Sequence, residues 1–300
     1  MKSYAYHEDL GLRTRLLNAL RGLFRHQPFE GWLQRRAQGR SLDSVWVKLV
    51  PPEYTYAPGS WRKVERHGLR WRLDLGNIND HALFFDPAYA ADDVLFGLVG
   101  PNSRVVDIGG NIGSYALRFA KKATAGNVVT FEPHPNTFAK LQANLALNKL
   151  ANLRAINVGI GAEEATHRLH EVVASNSGMN RIITTAAVDP TMPYVEVKVL
   201  PLSKALSGAG LEKVDLLKID VEGFEDAVLV GSADVILRDK PILFIELIDG
   251  NLKENGASAR QLVDRVVAWG YKVTEAVSGR SIADDDPLAG CAMDVVCRPR

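Results

Sequence analysis

The chain of 300 residues has an ordinary globular composition, with 46% hydrophobic and 24% charged residues. This is enough for one large domain, or for a domain with an elaborated N-terminal region, and a net charge of +1 gives no reason to expect nucleic-acid binding. The two cysteines, Cys291 and Cys297, match no zinc or redox motif, so we expect reduced thiols. We expect neither a cleaved signal peptide nor a membrane span, and hence a cytoplasmic protein.

The first 50 residues carry an excess of positive charge. They contain nine Lys or Arg and four acidic residues, a sum of about +5. Apolar side chains recur there at helical spacing, which predicts an amphipathic helix. These apolar residues are Leu12, Leu16, Leu17, Leu20, Leu23 and Phe24. The helix is expected either to pack on its own domain or on a second subunit, which would form a homodimer, or to lie on an anionic membrane surface or a lipid-linked substrate.

Residues 51–100 predict a hairpin and a short helix ahead of the main domain. Strands are expected at 61–65 and 69–75 around His67-Gly68. A polar loop is expected at 77–81, followed by a helix through Leu98 that is capped by Asp92. Aromatic residues in this region are interpreted either as a cap over a substrate or as core; they are Trp61, Trp71, Phe84, Phe85 and Tyr89. We therefore assign residues 1–100 to an N-terminal extension and 101–300 to the main domain.

From Val105 onward, strand and helix patterns alternate, which predicts an α/β fold with a mostly parallel sheet. The expected strands are 105–109, 127–132, 153–158, 214–219, 241–247, 271–276 and 293–298. The expected helices are 113–123, 135–147, 201–207, 223–237 and 257–269. Two extra strands, 167–172 and 195–200, flank the polar loop 175–181, which is either functional or a hairpin tip.

The segment VVDIGGNIGSY, residues 105–115, is the expected cofactor site. It predicts a strand, a glycine turn and a helix, so that free backbone N–H groups face a ligand. About twenty residues later Glu132 ends the next strand, at a distance that suits a ribose diol. An NAD-binding G-x-G-x-x-G is not formed, and Asp107 beside the turn favours a cationic ligand such as the sulfonium of S-adenosylmethionine. A purely structural turn is the alternative.

Further candidate residues follow the carboxyl ends of the predicted strands, where ligands bind in such sheets. These residues are Glu132, Pro133, His134, Val158, Gly159, Asp220, Glu222 and Glu246. Asp220, Glu222 and Glu246 are expected to converge with His134 nearby. Glu222 is alternatively a favourable charge at a helix N-terminus, and Glu246 a solvated loop residue.

Residues 100–250 resemble the FkbM family of S-adenosylmethionine-dependent methyltransferases. The resemblance rests on VVDIGGNIGSYAL, VVTFEPHPNTFAKLQANLALN, VDLLKIDVEGFEDAVLVG and PILFIEL, in this order. It implies the Rossmann-like class I methyltransferase fold, whose seven-stranded sheet has an antiparallel last strand. It also implies O-methylation of a sugar or secondary metabolite. Gly110 departs from the commonest family pattern, in which many members have alanine.

The resemblance also implies a role for most of the candidate residues. Asp107, Gly109, Asn111 and Gly113 would form the methionine side of the cofactor pocket, and Glu132 would hold the ribose. Gly110, in the same turn, is also a candidate cofactor-binding residue. Asp220 and Glu222 would lie at the site of methyl transfer.

The reaction chemistry leaves the base and the metal open. We expect Asp220, Glu222 or His134 to supply the base or to orient a small-molecule or glycan acceptor. An Mg²⁺ ion held by Asp220, Glu222 and Glu246 is a less favoured alternative. Two other functions are alternatives to methyl transfer. One is an NAD-dependent oxidoreductase or epimerase, and the other is a non-catalytic binding protein with a methyltransferase fold.

Overall fold

The structure, a computed structural model, describes residues 11–173, 175–184 and 188–300. It forms two compact units. One comprises the described residues up to Tyr89 with the segment Val173–Gly178, and the other comprises Ala90–Val172 and Met179–Arg300. The division thus falls earlier than the boundary expected after residue 100. The reason is that Asp92 accepts a hydrogen bond from Tyr115 (2.9 Å) and pairs with Arg118 (3.0 Å) of the second unit.

The N-terminal unit contains four helices and one hairpin in its described part. In chain order these are α1 (Leu12–Arg21), α2 (Phe29–Ala37), α3 (Val45–Lys48), β1 (Trp61–Arg66), β2 (Leu69–Asp74) and α4 (Ile78–Phe85). Short 3-10 turns occur at Gly22–Arg25 and Glu53–Thr55. The predicted hairpin is confirmed, with β1 and β2 antiparallel. His67 and Gly68 form its turn with φ values of 53° and 66°, as a tight hairpin turn requires.

The predicted polar loop at 77–81 is wrong, because these residues begin α4. The Asn77 side chain accepts a hydrogen bond from the backbone N–H of Asn79 and so caps the helix. Phe84 and Phe85 of α4 are buried together with Trp71 of β2. These three aromatic residues are therefore core, whereas Trp61 and Tyr89 are partly exposed.

The second unit alternates strands and helices. Its elements are α5 (Ala90–Gly97), β3 (Arg104–Ile108), α6 (Ala116–Lys122), β4 (Asn127–Phe131), α7 (Pro135–Ala146), β5 (Leu153–Ile156), β6 (Gly159–Ile160), β7 (Ala165–His170), β8 (Arg181–Ile182), β9 (Tyr194–Leu200), α8 (Leu202–Leu206), β10 (Leu216–Ile219), α9 (Glu225–Gly231), α10 (Ala233–Asp239), β11 (Ile242–Ile248), α11 (Asp249–Lys253), α12 (Ala259–Ala268), β12 (Tyr271–Glu275) and β13 (Ala292–Pro299). A further 3-10 turn spans Ser177–Met179.

The main sheet has seven strands in the order β12-β13-β11-β10-β3-β4-β5. All neighbours are parallel except β13, which runs antiparallel to both β11 and β12. The predicted seven-stranded sheet with an antiparallel last strand is therefore confirmed. Because β3 is flanked by β4 and β10, the carboxyl ends of these three strands lie at the same edge.

Three local predictions in this unit need correction. The predicted helix 223–237 is two helices, α9 and α10, because Ser232 between them is buried with non-helical angles of φ −112° and ψ 2°. Asp92 lies in the first turn of α5 and is not its cap. The predicted strand 153–158 ends at Ile156, because Gly159–Ile160 pairs with β9 in a second, four-stranded sheet in the order β6-β9-β7-β8.

The two extra strands that the sequence predicted are confirmed as β7 and β9 of this second sheet. Part of the polar loop between them, up to Gly178, belongs to the N-terminal unit. There the Ser175 carbonyl accepts a hydrogen bond from the Ile78 backbone N–H (2.9 Å). Across the described residues, no helix combines the length and the apolarity needed to cross a bilayer.

Candidate active site

The glycine turn after β3 has a backbone that only particular residues tolerate. Gly109, Asn111 and Gly113 have φ values of 88°, 46° and 92°. A Cβ atom on Gly109 would lie 1.9 Å from the carbonyl oxygen of Asp220, so the turn packs directly on the end of β10. The sequence-predicted turn and the predicted acid are therefore brought together at one edge of the sheet.

Gly110 makes room for a side chain of the neighbouring strand. A Cβ at this position would lie 2.1 Å from the Thr130 hydroxyl. That hydroxyl donates a hydrogen bond to Asp107 Oδ2 (2.9 Å). Gly110 is thus coupled to a threonine that fills the space beside it and holds Asp107.

Lys218 is a buried lysine that bridges two of the predicted site acids. Its Nζ lies 3.0 Å from Asp220 Oδ2 and 3.5 Å from Asp107 Oδ1, and 4.8 Å from the centre of the Tyr115 ring. Burial alone would lower the pKa of Lys218, but the charges of Asp220 and Asp107 reverse this effect, and the pKa is raised. Burial raises the pKa of Asp107, while Lys218 and Thr130 act in the opposite direction. Lys218 therefore remains a cation between two carboxylates.

Glu132 lies at the end of β4 with both carboxylate oxygens bound to the backbone. Oε2 accepts from the Asn111 N–H (2.8 Å) and Oε1 from the His134 N–H (2.9 Å). Burial raises the pKa of Glu132 to about 7, although these two hydrogen bonds favour the charged form. The carboxylate is thus fixed next to the glycine turn, at the position where the sequence predicts a ribose-binding acid.

The predicted acids Asp220 and Glu222, after β10, share one electrostatic environment with Glu246, which lies within β11 and not at its end as expected. Burial raises the pKa of Glu222 to about 7, and the charge of Asp220 adds to the rise. Burial and the charges of Asp220 and Glu222 raise the pKa of Glu246 well above its usual range. Asp294, which faces Glu246 across the β11–β13 pair, has its pKa raised to about 6, mainly by burial. This edge therefore disfavours further negative charge and favours a cation.

Glu222 has an unusual backbone conformation. Its φ is 55°, in the left-handed region that non-glycine residues rarely adopt. Its Oε2 accepts a hydrogen bond from Asn251 Nδ2 (2.8 Å). Next to it, Glu225 Oε1 accepts from the backbone N–H groups of Val221 (3.2 Å) and Gly223 (2.9 Å) and so fixes the loop. The loop therefore holds the Glu222 side chain in place at a cost in backbone strain.

His134 is occupied by structural contacts. The Thr137 backbone N–H donates to its Nδ1 (3.4 Å), so that His134 caps α7. Its Nε2 lies 2.9 Å from Glu171 Oε1. Since both ring nitrogens have partners, the imidazole is an anchor for the loop that carries Glu132.

The remaining predicted cofactor residues follow β4 and β5. Asn157 Nδ2 donates to the carbonyl oxygens of Glu132 (2.8 Å) and Pro133 (2.9 Å) and so joins the two strand ends. Gly159 lies in β6, and a Cβ there would lie 3.6 Å from Pro133. Val158 lies between the two strands, partly buried against the core. Pro133, Val158 and Gly159 therefore lie together, though in a loop and not at the end of a long third strand.

The magnesium alternative finds no support in the structure. Within residues 11–173, 175–184 and 188–300, no group of three or more His, Cys, Asp or Glu side chains has an arrangement that could hold a metal ion. Asp220 instead has Lys218 as its cation, and Glu222 is bound by Asn251.

Sequence reasoning missed Lys218, Tyr115 and Asp294. Lys218 is the most informative, because a lysine inside the buried run 214–219 requires a buried counter-charge. The register places Lys218 directly beside Asp107. The position of Asp294 opposite Glu246 depends on the antiparallel pairing, which the sequence alone does not specify.

The sequence of the chain matches a known protein family. The sequence model of the methyltransferase FkbM domain matches residues 107–273, more than half of the chain. The chain belongs to the FkbM methyltransferase family. The matched region of this FkbM member begins at Asp107 and includes the glycine turn, Glu132, Lys218, Asp220 and the acids that follow. The predicted family is therefore confirmed. The alternative prediction of an NAD-dependent oxidoreductase or epimerase is wrong, because the matching family is one of methyltransferases.

Three relatives illustrate the range of this family. The chain is 32% identical over 178 residues to Methyltransferase 1 of Beauveria bassiana, covering 54% of this chain and 71% of that protein. It is 30% identical over 159 residues to the 31-O-demethyl-FK506 methyltransferase FkbM of Streptomyces tacrolimicus, covering 45% and 61%. It is 25% identical over 175 residues to the 2-O-methyltransferase NoeI of Sinorhizobium fredii, covering 55% and 71%.

Proposed function

We propose that the protein is an S-adenosylmethionine-dependent O-methyltransferase that acts on a hydroxyl of a sugar, glycan or secondary metabolite. The observation that supports this most strongly is the joint position of the glycine turn, Glu132 and the Lys218-bridged acids at one sheet edge. Two of the relatives described above are named for methylation at oxygen, which favours an alcohol acceptor.

The residues at this edge fit the proposed cofactor. Glu246 Oε2 is buried and has no hydrogen-bond partner within the described part of the chain, whereas Asp107 Oδ1 already has Lys218 Nζ 3.5 Å away. An unsatisfied carboxyl oxygen at an acid-rich edge suits a cationic sulfonium, whose charge would offset its burial. Glu132 would hold the ribose hydroxyls, and the turn 109–113 would lie against the methionine part. When bound, S-adenosylmethionine supplies a methyl group that is already activated for transfer.

The acceptor hydroxyl must also lose its proton. A general base works best when its pKa lies near the working pH, and burial raises the pKa of Glu222 to about 7. We assign the base to Glu222 for this reason. Asp220, whose carboxylate is held by Lys218 (3.0 Å), orients the acceptor oxygen. His134 has a structural role, because its two ring nitrogens are bound to Glu171 and to the Thr137 backbone N–H.

Holding the acceptor in line with the methyl group provides the rest of the rate enhancement. Proximity and orientation contribute roughly 7–11 kcal/mol in favourable cases. Asn251 Nδ2, bound to Glu222 Oε2 (2.8 Å), restricts the base to one orientation. The strained backbone at Glu222 is consistent with such a functional constraint.

The experiment is a transfer assay with methyl-labelled S-adenosylmethionine and a panel of sugar, uronic-acid and polyketide alcohols. We expect the label in an ether-linked methyl group of at least one acceptor. Glu222→Gln should lower kcat by about 10²–10⁴-fold. Glu164→Gln, at an exposed glutamate paired with Lys204, is the matched control and should be unchanged. Transfer to nitrogen or sulfur only, or an unaltered pH profile in Glu222→Gln, would contradict the proposal.

A further inference from the structure

The amphipathic helix α1 is attached to its unit through its polar face. Asn18 Nδ2 donates to the Tyr54 hydroxyl (2.9 Å), and Arg21 Nε donates to the Lys48 carbonyl oxygen (2.8 Å). Asn18 and Arg21 are three residues apart and so lie on one side of the helix. This is the reverse of the usual arrangement, in which the apolar face of a helix is turned inward.

The apolar face of α1 is exposed as a consequence. Leu12, Leu16 and Leu20 follow one another at a spacing of four, and they are 75%, 64% and 52% exposed. Leu23 in the following 3-10 turn is 60% exposed. No residue of α1 is buried. A continuous row of exposed leucines marks a contact surface, because scattered single apolar residues are the normal surface pattern.

The charges around this row select the kind of partner. Arg13 and Arg15 are exposed and lie on opposite sides of the leucine row. The helix, LRTRLLNALR, contains no acidic residue. Positive charge on both sides of an exposed apolar row is complementary to an anionic lipid surface, which would neutralise it. Phe29 at the start of α2 is also exposed, and aromatic residues are common in interfacial segments.

We propose that α1 and the turn that follows it form a peripheral membrane anchor. The leucine row enters the boundary between headgroups and acyl chains of an anionic bilayer, and Arg13 and Arg15 contact the headgroups. This inference concerns the N-terminal unit alone and does not depend on the proposed reaction.

The test is co-sedimentation of the full chain with phosphatidylcholine vesicles, with and without phosphatidylserine. We expect binding to the anionic vesicles that weakens as salt is raised. Leu16→Glu/Leu20→Glu should lower the partition coefficient roughly tenfold or more, since it removes two apolar contacts and adds repulsion. Arg13→Gln/Arg15→Gln should lower it by a similar factor on anionic vesicles only, at about fivefold per arginine. All four positions are exposed, so circular dichroism should be unchanged.

The control variant is Val277→Glu, which changes an exposed apolar residue of the other unit and should bind vesicles like the wild type. Sedimentation velocity in the same buffers tests the alternative that the leucine row binds a second copy of the chain. A dimer that Leu16→Glu/Leu20→Glu converts to a monomer, without vesicle binding by the wild type, would overturn the proposal. Equal binding to neutral and anionic vesicles would do so as well.

Discussion

Replacing Lys218 by methionine removes the cation that lies between Asp107 and Asp220. Methionine has a similar length, so the main change is the loss of charge. Asp107 is fully buried, and its remaining hydrogen-bond donor is Thr130. Leaving one partner of a buried ion pair without its counter-charge costs about 3–5 kcal/mol. The expected fall in Tm is roughly 6–20 °C, at about 2–4 °C per kcal/mol for a unit of this size.

The pH dependence of Lys218→Met follows from the remaining carboxyl group. Burial already raises the pKa of Asp107, and loss of Lys218 raises it further. A carboxyl group with a raised folded-state pKa stabilises the protein below its unfolded pKa, and this contribution is lost as the pH rises through the folded pKa. The deficit of Lys218→Met relative to the wild type should therefore be largest near pH 8 and should shrink toward pH 5.

Urea unfolding followed by circular dichroism measures this deficit. The double variant Lys218→Met/Asp107→Asn removes both charges and should recover at least half of the lost stability. The control, Lys272→Met, removes an exposed strand lysine and should change stability by less than about 0.5 kcal/mol. A loss below about 1 kcal/mol for Lys218→Met, or a further loss on adding Asp107→Asn, would refute the bridging role of Lys218.

Three further predictions concern the same sheet edge. Gly110→Ala places a Cβ 2.1 Å from the Thr130 hydroxyl, so we expect the free energy of unfolding in urea to fall by about 1–3 kcal/mol. Adding Thr130→Ala should restore part of this loss. Strictly additive effects of the two substitutions would contradict the contact. The folded pKa of Glu132 is raised to about 7 from 4.5, so its stabilising contribution is lost as the pH rises through 7. Between pH 5 and pH 8 the free energy of unfolding of Glu132→Gln should therefore rise by about 2.5 kcal/mol relative to the wild type, and a pH-independent difference would contradict this. Asp220→Asn should raise KM for the acceptor more than Glu222→Gln does in steady-state kinetics, and equal effects on KM and kcat would reject their separate roles.

The main sheet was largely predictable because its strands are short β-branched runs between clear turn signals. Val105 to Ile108 and Val128 to Phe131 are buried on both faces, which a parallel central strand requires. The glycine turn after Ile108 was also recognisable, since its positive φ angles restrict the residues that can occupy it. These features are local, and local features can be read from one sequence.

Other parts depended on tertiary contacts that local patterns do not specify. Asn77 is equally typical of a loop and of a helix cap, and burial of the following Phe84 and Phe85 favours the helix. The leucine row of α1 was recognised, but its outward orientation follows from the long-range hydrogen bonds of Asn18 and Arg21.

The sequence predicted which residues lie at the candidate site, but not which of these side chains contact one another. Glu132, Asp220 and Glu222 lie where strand ends predicted them, whereas the bridging role of Lys218 requires the β3–β10 register. His134 is a predicted base candidate because it follows the end of β4, near the acids at the other strand ends. Its contacts with Thr137 and Glu171 could not be read from the sequence, because they depend on the direction of the side chain.

Cofactor binding can be measured directly by isothermal titration of the purified protein with S-adenosylmethionine, S-adenosylhomocysteine and NAD. We expect saturable binding of both adenosyl ligands and none of NAD. Glu132→Ala should abolish this binding, while Glu164→Ala, at an exposed glutamate, should leave it unchanged. Binding of NAD alone, or equal affinity for S-adenosylmethionine in wild type and Glu132→Ala, would contradict a methyltransferase site built on the glycine turn and Glu132.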